Sequence, residues 1–384
     1  MSEFIQLHIL ASYPPSNLNR DDLGRPKTAV MGGTQRLRIS SQSLKRAWRE
    51  SDIFKESLSG HIGIRTKEMG VYVCKALTSG CSLVDTIKNE DQINTKFPPV
   101  SESMAKKYAQ DIAGVFGKVK TTKKGKDEED KDKDTKETEN DPFGDLKLEQ
   151  LAHFSQEEII LIDSLLGKLA KSGDEPTKDD LQLLREKHTA ADIAMFGRML
   201  ASSPMHNTEA AVQVSHPITV HKVAVEDDYF TAVDDLNDGS DNSGAAHIGE
   251  LEFASGLFYN YVCINRTLLA ENLGGDKELV NKALKALVEA AAKVAPTGKQ
   301  NSFASRAYAS YILAEKGTQQ PRSLSVAFLK ALNGKDILDD SISALKATNE
   351  NMVKVYGKCS ESNCEMNAHT GEGSLDEILG FVAK

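Results

Sequence analysis

The chain has 384 residues, a formal net charge of −9 and 40% hydrophobic residues. That length allows two or three domains with sizeable cores. The acidity excludes a protein that is basic all over, though not one with a basic groove. No apolar run is long enough to span a bilayer, so no membrane partner is expected. The start, MSEFIQLHIL, carries an acid and no basic n-region, and does not read as a secretory signal. The cysteines Cys74, Cys81, Cys263, Cys359 and Cys364 are sparse and odd in number. Such usage fits reduced thiols and a cytoplasmic location.

In chain order, residues 4–10 alternate Ile5, Leu7 and Ile9 with Gln6 and His8, which predicts a half-buried strand. Residues 11–39, rich in Pro, Asn, Asp and Gly, read as a long irregular segment, of a kind that is functional or disordered. Ser40 and Ser41 offer an N-cap for a helix running to about Phe54. On that helix Leu44, Ala47 and Trp48 lie on one side, and Gln42, Lys45 and Arg49, at i, i+3 and i+7, on another. Residues 59–195 look mostly helical. Within them, 118–141 has almost no apolar residue and predicts a disordered surface insertion, a solvated charge run rather than a nucleic-acid contact. A strand is expected near 194–200, followed by a protruding hairpin or long loop through β-branched runs at 212–214 and 218–225. Residues 253–265 predict a strong strand, 277–294 an Ala-rich amphipathic helix, and 325–332 and 338–347 further helices.

The stretch 19–49 gathers Arg20, Arg25, Lys27, Arg36, Arg38, Lys45, Arg46 and Arg49 against only Asp21 and Asp22. Gly32-Gly33 lets a backbone approach a ligand closely or adopt positive φ. A helix opening at Ser40-Ser41 presents free N–H groups that favour an anion, and Lys45 and Arg49 extend positive charge along one face. Such a set can hold successive phosphates without reading bases. A capped surface helix behind a solvated loop is the other reading of the same residues.

Other motifs are weaker. The nucleotide P-loop pattern is absent. Cys359 and Cys364, with His369 nearby, lack a fourth zinc ligand and read as free thiols. His206, His216, His221 and His247 show no metal-ligand spacing. Asp21-Asp22 and Asp234-Asp235 read as turn carboxylates rather than as a Mg²⁺ site or general base. The aromatics of 253–261 could stack bases as an RRM sheet does, but lack that consensus and read as core. Met199, Phe230 and Thr231 suit either packing or a wedge between bases.

Six motifs occur in order: PPSNLNRDD, GG-x-x-R-x-RISSQSLKRA, DIA-x-x-GRM, FTAVDDL, AH-x-G-x-x-EF-x-SG-x-FY and ENLGG. In these the chain closely resembles the CasC (Cse4) family, the backbone subunit of the type I-E CRISPR Cascade complex. The resemblance covers residues 1–60 and 190–275 most strongly. It implies an α+β fold, with an RRM-like (ferredoxin-like) palm, an inserted helical fingers domain and a projecting β-hairpin thumb. On that reading the palm comprises 1–58, a strand at 191–203 and 247–384, the fingers 59–190, and the thumb 204–246. It further implies a non-enzymatic subunit without cofactor or metal that binds CRISPR guide RNA, lines up head to tail with copies of itself, joins other Cascade subunits and presents the guide for pairing with target DNA. Asn19, Arg20, Lys27, Ser40, Gln42, Lys45, Arg46 and Arg49 match its RNA grip, Met199 a residue packing against bases beside a kink, and Phe230 and Thr231 the thumb tip. Tyr229 stands where the family leads us to expect Trp. The competing expectation is a metal-dependent endoribonuclease, as in type III backbone subunits that cut target RNA with a loop Asp, here Asp21 or Asp22. A third is a generic single-strand-binding protein.

Overall fold

The computed structural model describes residues 2–88, 95–120, 141–185, 188–232 and 247–384. The chain divides into two compact units, one of Met1–Leu58, Val212–Ala270 and Asp276–Lys384, the other of Ser59–Ala211 and Glu271–Gly275.

The first unit begins with strand β1 (Phe4–Ser16), longer than the sequence suggests. The expected irregular segment also contains a hairpin of β2 (Thr28–Met31) and β3 (Thr34–Leu37). Gly32 and Gly33 form its two-residue turn, both with positive φ, as a hairpin of this length requires. A Cβ on Gly32 would lie 1.7 Å from the Leu329 carbonyl oxygen, so the close approach met here is to the protein's own backbone. Helix α1 (Ser41–Glu50) is capped by Ser40, whose hydroxyl accepts from the Ser43 amide. It stops before Phe54 because Ser51 breaks the run and caps α2 (Asp52–Ser57) by accepting from the Phe54 amide.

The second unit opens with β4 (Ile64–Thr66), α3 (Met69–Ser79), α4 (Leu83–Lys88) and α5 (Glu102–Phe116). It continues with β5 (Ala152–Phe154), paired to β4, and α6 (Gln156–Ser172). The core joins α3, α5 and α6 through Leu77, Tyr108, Ile112, Phe116, Ile162 and Leu166. Ser155 and Glu158 form a reciprocal capping box on α6, which ends at Gly173 in the left-handed conformation. The insertion expected to be disordered lies outside the described residues except at its ends, where Lys118 pairs with Glu149 at 2.8 Å and Asp141 with Lys147 at 2.8 Å. The strand expected near 194–200 is instead helix α7 (Ala191–Phe196), and this segment belongs to the second unit. Its apolar run is short enough to suit either structure. Asp192 settles it as a first-turn acid whose carboxylate accepts from the Gly63 amide at 2.9 Å and pairs with His153 at 2.9 Å.

The chain re-enters the first unit with β6 (Val212–Val214), β7 (Ile218–Thr219) and β8 (Glu226–Ala232), each antiparallel to the long β9 (His247–Asn265). The span 204–246, expected to form a thumb, thus contains strands of two kinds. Strands β6 and β7 belong to the main sheet, and the exposed ribbon pairs 226–232 with 247–253. Then come α8 (Arg266–Asn272), α9 (Lys277–Lys293), α10 (Gln300–Phe303) and β10 (Ala309–Gly317). A single 3-10 turn at Ser325–Phe328 replaces the first helix expected near the C-terminus. Helix α11 (Ile337–Tyr356), β11 (Ser362–Asn367) and α12 (Leu375–Ala383) complete the unit.

The sheet is antiparallel, in the order β11-β10-β1-β9-β6. Taking β1, α1, β6, β9, α9 and β10, the chain order is β-α-β-β-α-β. Strand β1 is central and buried on both faces, which corrects the half-buried reading. Ile5, Leu7 and Ile9 face the side where Lys316 lies 5.1 Å from the Phe381 ring of α12. Gln6, His8 and Leu10 face the other side, under α11 and the segment before it. There Leu10, Tyr259, Tyr311, Phe328 and Leu345 form a core. The β9 aromatics Phe258 and Tyr259 are buried, as the core reading of that strand requires.

Gln6 and His8 keep a strand-like alternation because each finds polar partners. Gln6 Oε1 accepts from the Tyr261 hydroxyl and the Arg322 amide, both at 2.8 Å. The His8 Nε2 proton goes to Glu315 at 3.1 Å, leaving Nδ1 to accept from the Tyr259 hydroxyl at 2.9 Å. Arg322 grips Glu315 with two nitrogens, at 2.6 and 3.1 Å, and reaches Asn349 of α11 at 2.5 Å.

Burial opposes the charge on Glu315, but His8 and Arg322 outweigh it and hold the carboxyl far below the usual glutamate range. Burial lowers His8, which stays neutral. Both folded pKa values are depressed, so the unfolded chain binds more protons, and stability is lost as pH falls. The expected result is a thermal midpoint that starts to drop below about pH 6.5, as unfolded His8 takes up a proton, and drops further below about pH 4.5 as unfolded Glu315 does. Melting curves across this range check it. Arg322→Ala should cost about 3 kcal/mol or more, because it strands a buried carboxylate.

Candidate nucleic-acid interface

Loop 17–27 is built before it is functional. Asn17 Nδ2 donates to the Gly24 carbonyl at 2.9 Å and to the Glu252 carbonyl of β9 at 3.0 Å, fastening the loop to the sheet. Asp21 Oδ1 accepts the amides of Leu23 at 3.0 Å and Arg25 at 2.9 Å, a local turn that gives this carboxylate a structural task. The loop closes where the Lys27 amide meets the Asn19 carbonyl at 2.8 Å. The Asn19 side chain then accepts the Ser40 amide at 2.8 Å. Asn19, Lys27 and Ser40 are thus drawn together at the start of α1. A Cβ on Gly298 would lie 2.2 Å from the Leu18 carbonyl oxygen, so the loop also rests against that backbone.

The cations counted in the sequence divide by role. Arg36 is fully buried and donates to Thr34 Oγ1 at 2.9 Å, the Thr219 carbonyl at 2.8 Å and the Phe328 carbonyl at 3.0 Å. It is a tie between β3, β7 and the turn before α11. Arg25 pairs with Glu252 at 3.0 Å. Arg20, Gln42 and Arg46 are exposed, and Lys27, Lys45 and Arg49 half-buried. Arg49 pairs with Glu50 at 2.9 Å. Burial pushes the Lys45 ammonium below the ordinary lysine value. On α1, Ser41, Leu44, Ala47 and Trp48 are buried. Gln42, Lys45, Arg46 and Arg49 therefore occupy the opposite side, at helical spacing. Ser40 spends its amide on Asn19, while the amides of Ser41 and Gln42 lie in the first turn, where no helical acceptor exists.

Sequence reasoning weighed His216 only as a metal ligand and missed its place beside the basic loop. It is exposed, accepts from Arg38 Nη1 at 2.6 Å and lies 3.5 Å from Ser41 Oγ. Its only signal was proximity to Pro217, whose carbonyl accepts the Ile39 amide at 3.0 Å.

On the ribbon, Tyr229, Phe230 and Thr231 are exposed, Phe230 at 43%. Phe230 stands opposite Gly249, and a Cβ there would lie 2.4 Å from the ring, so the glycine gives the ring a flat seat on the neighbouring strand. Asp234 and Asp235 lie outside the described residues.

In the second unit, the Gly197-Arg198-Met199 run has three separate tasks. Gly197 turns the chain with φ 81°. Arg198 is buried and clamps both Glu158 oxygens through Nη1, at 2.9 and 2.7 Å. Met199, fixed by that anchor, is 76% exposed. It borders a cleft of about 340 Å³ with Phe116, Lys118, Glu149 and Leu151.

Among the described residues no group of three or more His, Cys, Asp or Glu could hold a metal ion. All five cysteines are free thiols.

An antiparallel β-α-β-β-α-β sheet with an exposed ribbon and a separate helical unit is an architecture with solved counterparts. Over 99% of its length the chain is similar to a chain of "CRISPR RNA-guided surveillance complex, pre-nicking", covering 100% of that chain at 26% identity and a TM-score of 0.74. A chain of "CRISPR RNA-guided surveillance complex" shares the fold, at 22% identity and a TM-score of 0.55, with 98% of this chain and 99% of that one covered. Residues 5–378 match the family described as CT1975-like protein, and the chain belongs to that family. No curated protein matches it.

The division of the cations is testable by stability alone. Arg36→Ala should cost about 2–4 kcal/mol, because it leaves buried carbonyls unsatisfied. Arg20→Ala and Arg46→Ala should each change stability by no more than about 0.5 kcal/mol. Urea unfolding of the three variants checks both statements.

Proposed function

We propose that this chain is the CasC-type backbone subunit of a CRISPR RNA-guided surveillance complex. Its palm is the RRM-like sheet unit, its thumb includes the ribbon of 226–232 and 247–253, and its fingers are the helical unit. It holds guide RNA by the phosphates, associates head to tail with further copies and with other Cascade subunits, and leaves base edges free to pair with target DNA. The observation that carries this reading is the frame of Asn17, Asn19 and Ser40. It spends their polar groups on fixing the loop, sets Arg20 and Lys27 in the loop beside the start of α1, and leaves Gln42, Lys45, Arg46 and Arg49 along the outer side of that helix. The full-length likeness to a chain of a surveillance complex supports it. In this reading Met199, Phe230 and Thr231 contact bases, since all three are exposed, Met199 next to the anchored Arg198 and Phe230 over Gly249.

We read the protein as non-catalytic. The metal-dependent endoribonuclease alternative is not favoured: Asp21 holds two backbone amides and is committed to its turn, and among the described residues Asp22 joins no group of acids, histidines or cysteines that could hold a metal ion.

The test is the salt dependence of RNA binding. Lys45→Ala combined with Arg49→Ala removes two phosphate contacts, and the slope of log affinity against log salt should fall by about 1.4. An unchanged slope and affinity in a folded double variant would contradict the phosphate grip.

A further inference from the structure

His216 sits among cations on an exposed surface, and nothing in the guide-RNA reading uses it. Arg38 Nη1 lies 2.6 Å from its Nδ1. A guanidinium only donates, so Nδ1 holds a lone pair and the ring proton is on Nε2, facing Ser41 Oγ at 3.5 Å. Backbone bonds fix this geometry. Arg38 donates its amide to the Lys27 carbonyl at 2.8 Å and bridges to Ile218, two residues after the histidine. Among the described residues, the charges acting on His216 are all positive: Arg38 beside it, Lys27 leading into β2, and Lys45 on α1. Burial first, and then these cations, lower its pKa, which favours the neutral ring in the free protein at neutral pH.

We propose that Arg38 and His216 form a proton-linked phosphate contact for RNA at the start of α1. The proposal rests on the guide-RNA reading above. Without RNA, the neutral ring occupies Arg38 as an acceptor. When a phosphate arrives among Lys27, Arg38, Lys45 and the first-turn amides, its negative charge favours the imidazolium. A proton from solvent then adds to Nδ1, and that nitrogen can no longer accept from Arg38. The Arg38 guanidinium and the protonated ring both turn their donors to phosphate oxygens. Binding therefore takes up a proton, and RNA affinity rises as pH falls through the bound-state pKa of His216.

The experiment is binding of the full-length protein to a single-stranded RNA oligonucleotide at fixed salt, from about pH 5.5 to about pH 8. A bound-state pKa one unit above the free value gives a tightening that grows as pH falls and approaches about tenfold below both values. His216→Gln keeps a polar side chain but cannot titrate, and should bind at the wild-type high-pH level with most of that dependence gone. The same pH profile in both proteins overturns the proposal. Calorimetry of the wild type in two buffers of different ionisation heat needs no variant. Net proton uptake on binding is expected, and none overturns it. Absence of RNA binding at every pH would overturn the guide-RNA reading along with it.

Discussion

Arg322 holds Glu315 through two guanidinium nitrogens, and this buried pair decides what the sheet can be used for. The pair fastens the segment before α11 over the face of β10 and β1, and Asn349 brings α11 into the same network. Breaking such a pair costs far more than forming it gains, so its value is in specifying one arrangement. With that face covered, Tyr259 and Tyr311 are core residues and cannot act as a stacking platform for bases. The proposed RNA grip therefore lies at the end of β1, where the chain leaves the sheet.

The loop after β1 is organised for that position. Asn17 ties it to β9, Asn19 ties it to the start of α1, and Arg36 ties the hairpin below it to β7. The polar groups nearest the backbone are spent on architecture, and those farther out remain at the surface. An acidic chain can therefore carry a local basic frame. Its carboxylates pair with particular cations, as Glu252 does with Arg25 and Glu50 with Arg49, while Arg20 and Arg46 stay exposed.

Much of this was legible in the sequence where one residue type has one physical use. The Ser40 cap, the buried Leu44-Ala47-Trp48 side of α1 and the Ala-rich α9 follow from spacing and capping chemistry. What was not legible depends on partners distant in sequence. Gln6 and His8 looked solvent-facing because polar alternation is the pattern of a half-exposed strand, and only Glu315, Tyr261 and Arg322 turn it into a buried network. Arg36 counted as a surface cation until Thr219 and Phe328 supplied its acceptors. Gly32-Gly33 suggested close approach to a ligand, and the backbone it approaches is that of Leu329. The short apolar run at 194–200 carried no period that separates helix from strand, and Asp192 decided it through a long-range bond to Gly63. Gly249 is explained by the ring of Phe230 across the ribbon, a pairing that requires the register.

The most direct measurement is to purify the protein from its native host at mild salt and sequence the RNA that accompanies it. A guide-RNA backbone predicts uniform short RNAs, each a CRISPR spacer flanked by repeat fragments. A mixture of cellular RNAs without spacers, or no RNA at all, would contradict it.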